Sequence, residues 1–199
     1  MVNAFKIYAL GLIVAVVALT IAVVARADMY KGYEQPPFAV NKIDGDIELR
    51  RYAPHIVAEV QVDGSREQAI RRGFRVLADF IFGGNESGES VAMTVPVSQL
   101  PGDGVWTVRF MMPAAYRIED LPRPSSDSIR FVETGPEEHL VIRFSGLATT
   151  RALATKTQTL MQYAADQGLK VAGPARYHFY DDPFTLPWNR RNEVSIPLS

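Results

Sequence analysis

The chain has 199 residues, of which 47% are hydrophobic and 22% charged, with 21 basic against 22 acidic side chains. These proportions exclude wholesale disorder, collagen-like repeats and low-complexity structure, and the length suits one domain or two small halves sharing a core. A formal net charge of −1 without a basic run excludes the electrostatic footprint of a nucleic-acid binder, and zero cysteines exclude disulfide scaffolds, thiolate metal sites and cysteine nucleophiles.

Residues 1–27 stand apart. Ile7 to Ala25 is a run of 19 residues without a charge, bounded by Lys6 and Arg26. As a helix it would span about 28 Å, close to the hydrocarbon thickness of a bilayer. Two readings are open: an uncleaved signal anchor, favoured by the length of the run, and a signal peptide cleaved after Ala25-Arg26-Ala27. The localisation expected is accordingly membrane-anchored, or periplasmic and exported if the segment is removed. Without Lys6 and Arg26 the remainder holds 19 basic against 22 acidic residues, a mildly acidic −3.

Residues 28–45 read as a linker, because Tyr30 to Val40 shows no periodicity and contains Pro36 and Pro37. The working domain is expected over 46–199. Ile47 to Tyr52 alternates as a strand, and Ile56, Ala58, Val60 and Val62 share one face of the next. Ser65 predicts an N-cap for a helix over 66–82, stopped by Gly83-Gly84-Asn85. Strands follow at Val91–Leu100 and Val105–Met112, joined by hairpin residues Pro101 to Gly104. The order then repeats: strands at Ile129–Glu133 and His139–Phe144, a helix over Thr149–Gln167 stopped by Gly168, and strands at Val171–Tyr180 and Glu193–Leu198. Two helices and about eight strands predict an α+β domain, its helices covering an antiparallel sheet or open barrel. The repeat is architectural, without residue-level identity between the halves.

The first helix carries the most chemistry. At about 100° per residue, Ile70, Phe74, Leu77 and Ile81 form a core stripe flanked by Gly73 and Phe80. Beside it lie Arg71, Arg75, Ala78 and Phe82, mixing guanidinium and apolar groups. Such a face suits a large flat apolar ligand with carboxylates, which arginine pairs bidentately; it equally suits arginines that snorkel over a solvated edge. His55, His139 and His178 have no metal-site spacing, and Met93, Met111 and Met112 read as core. Gly83 to Gly88 lacks the Lys-Ser/Thr of a phosphate loop and reads as a flexible connection; Asn85-Glu86-Ser87 is a formal glycosylation triplet. No catalytic constellation stands out, so no enzyme is expected, and a metal ligand is not identifiable.

Five segments in register resemble the SOUL haem-binding protein family: Ile47 to Val60, Phe80-Ile-Phe-Gly-Gly-Asn85, Met93-Thr-Val-Pro-Val97, Leu121-Pro-Arg-Pro124 and Tyr180 to Val194. The resemblance implies duplicated βα repeats making a distorted antiparallel barrel flanked by two long helices. It also implies non-covalent binding of haem or a related tetrapyrrole beside the first helix, with Arg71 at the position of a basic residue proposed to meet a propionate. On that reading Arg71 and Arg75 meet propionates while Phe74, Ala78 and Phe82 face the macrocycle, in a carrier, buffer or sequestration protein. Three positions depart from the family pattern: Arg51 stands where some members have a histidine proposed as iron ligand, Asp79 where a helix lysine is expected, and Phe184-Thr-Leu186 lacks a lysine. Lacking cysteine, the chain would hold haem neither covalently nor through a thiolate. The same architecture resembles effector-binding modules related to gyrase inhibitors; an acidic group in the central cavity would favour that alternative.

Overall fold

Residues 28–199 are described by a computed structural model; the apolar run 7–25 and the cleavage site lie outside them. No helix among the described residues is long and apolar enough to cross a membrane. The chain runs β1 (Asp28–Tyr30), β2 (Tyr33–Gln35), β3 (Phe38–Asp44), β4 (Ile47–Tyr52), β5 (His55–Asp63), helix α1 (Arg66–Ile81), β6 (Val97–Pro101) and β7 (Val105–Met111). It continues with β8 (Ile129–Thr134), β9 (Glu137–Phe144), helix α2 (Thr150–Asp166), β10 (Arg176–Phe179) and β11 (Asn192–Leu198). β1 and β2 form a small hairpin; the other nine strands make one curled antiparallel sheet in the order β3-β4-β9-β11-β10-β6-β7-β5-β8.

The expected duplication is visible in that order. Outward from the central β10–β6 pair, β11-β9-β4 on one side mirror β7-β5-β8 on the other. α1 packs on β5 and β7, α2 on β9 and β11. Each helix therefore covers its own half of the sheet, with its own apolar layer. The first layer joins Ala58, Val60, Val108 and Phe110 to Leu77, Phe80 and Ile81; the second joins Leu140, Ile142, Val194 and Ile196 to Leu153, Leu160 and Ala164. Among the described residues, both layers draw on positions 47–198.

Local chemistry sets the helix ends. Ser65 accepts from the Gln68 amide while the Gln68 side chain reaches back to the Ser65 amide, a capping box that satisfies two otherwise orphaned donors. Gly83, at φ 103°, turns the chain out of α1, and the Gly84 amide closes onto the Asp79 carbonyl at 2.8 Å.

Two expectations are corrected. Residues 28–45 are not a linker: they supply β1, β2 and the edge strand β3, paired with β4 from Phe38↔Tyr52 to Asp44↔Ile47. Most β3 side chains are exposed, so its backbone pairing leaves no alternating pattern to read. The strand expected from Val91 begins only at Val97: Thr94 and Val95 pair with Glu34 instead, and Pro96 has no N–H to donate to a ladder.

Candidate functional site

α1 is rotated relative to the expected core stripe. Its buried residues are Ala69, Gly73, Leu77, Phe80 and Ile81, while Ile70 is half-buried and Phe74 is 42% exposed. The cause is close approach: a Cβ on Gly73 would meet Val108 at 2.5 Å, so the helix rests on its smallest side chain and Phe74 swings to the flank. There Phe74 packs edge-on against Phe110, centroids 5.4 Å apart.

The second stripe is not beside the core but on the outer face. Arg71 lies about 120–160° round the helix from Leu77 and Gly73. Arg71, Arg75 and Phe82 are exposed, Phe82 to 70%, and half-buried Ala78 packs on the core beneath them. Ion pairs among the described residues involve neither Arg71 nor Arg75. Their neighbour Arg72, by contrast, donates to the Asp63 carbonyl. Two unpaired guanidinium groups thus border three apolar side chains on one helix face. Asp79, also exposed, is a carboxylate on the same helix.

Beneath the helices the sheet turns a second, polar face inward, which sequence periodicity missed. Glu193 is fully buried, and the Arg50 guanidinium donates to both its oxygens at 2.9 and 3.1 Å. Arg191 and the Tyr180 hydroxyl each donate to it at 2.9 Å. Burial would raise the Glu193 carboxyl, but Arg50 and Arg191 hold it down at about 2. His178 is pushed down to about 3 by burial, with Ser98 and Ser195 hydroxyls 2.8 Å from its two nitrogens. His139 is likewise engaged on both nitrogens, by Ser195 and Glu137. His55 lies against the Ala53 carbonyl and Thr134. No group of three or more His, Cys, Asp or Glu that could hold a metal ion occurs among the described residues. The cavity these histidines line holds ≈ 60 Å³, far below the roughly 300–1,000 Å³ of a small-molecule site. Glu137 lines it, paired with Arg176 at 2.7 and 3.0 Å, so the cavity does carry an acidic group, the feature named for the effector-module alternative, already met by an arginine.

Asn85 is not a displayed glycosylation acceptor. Its amide donates to the Phe80 and Glu89 carbonyls and its oxygen accepts from Ser87 and the Glu89 amide, so the side chain ties the loop after α1. A larger open groove of ≈ 810 Å³ lies beside α2, lined among others by Tyr30, Arg143, Phe144, Leu147, Lys156, Trp188 and Arg190. The loop bordering it exposes Phe184, Leu186 and Trp188, a cluster that a residue-by-residue scan for helix faces does not register.

Comparison with known proteins fixes the lineage. The SOUL heme-binding protein family model matches residues 33–197. The chain belongs to that family. It is 30% identical over 161 residues to heme-binding protein 2 of Homo sapiens, covering 75% of this chain and 77% of that protein. It is 29% identical over 140 residues to heme-binding protein 1 of Sus scrofa, covering 64% and 70%. Among solved structures, the EcmrR C-terminal domain superposes with a TM-score of 0.59 at 12% identity, over 77% of this chain and 96% of that one. A hydrolase from Listeria innocua gives 0.55 at 12% identity, over 80% and 94%. At such identities these two report a shared α+β fold alone.

Proposed function

We propose that this SOUL-family domain binds haem or a related tetrapyrrole non-covalently along the outer face of α1. It carries, buffers or sequesters the ligand without transforming it, from a position tethered to, or exported across, a membrane by residues 1–27. The observation that carries the reading is the pair Arg71 and Arg75, unpaired among the described residues, beside exposed Phe74 and Phe82 on one face. A macrocycle would cover the phenyl rings and Ala78 while its propionates meet the guanidinium groups. The named heme-binding relatives support the ligand class.

The residues fit the carboxylated macrocycle better than they fit its iron. Arg51, at the position of the proposed family histidine, is exposed and pairs with Glu138 at 2.8 Å, and a guanidinium has no lone pair to give. His139 and His178 are hydrogen-bonded through both ring nitrogens on the inner sheet face, and His55 through Nδ1. Metal-free protoporphyrin should therefore bind nearly as well as hemin. Titrating the protein with each should give a saturable Soret change at micromolar protein. Replacing Arg71 or Arg75 by Ala should weaken binding about tenfold per guanidinium, for an interaction worth about 1.5 kcal/mol. No saturable change with either ligand would overturn the reading.

A further inference from the structure

We propose that the β10–β11 loop and the groove beside α2 form a membrane-contacting face, seated on the anionic surface of the bilayer that the run 7–25 enters; this rests on the tethered reading of residues 1–27. Phe184, Leu186 and Trp188 are 92%, 52% and 67% exposed, all on one loop. The loop is built to hold them there. Asp182 accepts from the amides of Phe184 at 2.7 Å and Thr185 at 3.0 Å. Arg190 donates to the carbonyls of Thr185 at 2.7 Å and Pro183 at 2.6 Å. The Gly146 amide donates to the Pro187 carbonyl at 2.8 Å, bringing exposed Leu147 to the same rim. A contiguous set of ordered, outward apolar side chains marks a contact surface.

Where the chain enters the domain says what covers that surface. Tyr30 lines the groove together with Trp188, and its hydroxyl donates to Asp181 at 3.2 Å. Lys31 pairs with the same carboxylate at 2.5 Å. Only four residues lie between Ala25, the last of the uncharged run, and Tyr30, a reach of at most about 18 Å over the five steps. A membrane-embedded run thus holds this groove near the bilayer surface. The charge is complementary: Lys156, Arg190 and the half-exposed Arg143 line the groove against Asp46, while Arg191, also in the lining, is buried on Glu193. Tryptophan beside basic residues is the composition that settles at an anionic lipid interface.

The chain has two tryptophans, Trp106 in β7 and Trp188, so the loop can be read by fluorescence. The full chain is placed in vesicles of phosphatidylglycerol and phosphatidylcholine with brominated acyl chains. Wild type should lose the Trp188 share of its emission, Trp188→Phe should show no quenching, and Lys156→Glu should reduce it. Equal emission with and without bromine overturns the proposal, as does quenching that survives Trp188→Phe. An alkaline carbonate wash reads the tether separately: protein that stays with the vesicles while Trp188 remains unquenched sinks the loop proposal and leaves the tether standing. Shielding of Trp188 by protoporphyrin, without lipid quenching, would instead make the loop part of a ligand site and overturn the membrane assignment.

Discussion

Gly73 decides how α1 sits. Alanine is the better helix former by about 1 kcal/mol, so propensity alone favours Gly73→Ala. The structure predicts the opposite sign, because the new Cβ would lie 2.5 Å from Val108 Cγ2 and 2.7 Å from its Cβ. Urea denaturation should show a loss of about 1–3 kcal/mol, the ordinary penalty for overpacking. An unchanged or raised midpoint would contradict the close approach. The same contact explains which site residues were legible. The i, i+4 spacing of Arg71 and Arg75 placed them on one face, but the helix rotation depends on a tertiary neighbour. Periodicity therefore put Phe74 in the core and the arginines at its edge. Arg50 and Glu193 were illegible for another reason: a polar residue alternating with apolar ones reads as solvent-facing, and in this sheet that side of the strand faces the inside of the curl.

At the scale of elements, strands and helices with an apolar face were readable, and those without one were not. α1 and α2 begin within a residue of their expected starts because Ser65 and Thr149 cap them. β3 was missed because an edge strand wet on both faces has nothing to alternate. The inner faces of β9, β10 and β11 make the domain sensitive to acid. His178 titrates near 3 in the fold against 6.5 for the free side chain, and Glu193 near 2 against 4.5. In both cases the unfolded chain binds protons more readily. Their stabilisation is complete above pH 6.5, falls as the pH drops from 6.5 toward 3 for His178, and from 4.5 toward 2 for Glu193. The melting temperature should therefore decline steadily between neutral pH and the folded-state value of His178, near 3. A profile that stays flat through the upper half of that window would contradict the neutral, buried His178.

For the whole molecule, duplication sets the division of labour. Two βα halves meet at β10 and β6, each with a helix over its own core, leaving two helix-bearing surfaces and a filled interior. In the proposed arrangement the α1 surface takes a tetrapyrrole, the α2 surface and its loop meet the membrane, and the inner face only holds the sheet together. The most direct test is to follow the backbone amide resonances of residues 28–199 while metal-free protoporphyrin is added. Shifts concentrated between Arg71 and Phe82, and abolished when Arg71 and Arg75 are both changed to Glu, are the predicted result. Shifts confined to the inner strands around His139 and His178, or to the groove at Lys156 and Trp188, would contradict the assignment of the ligand to α1.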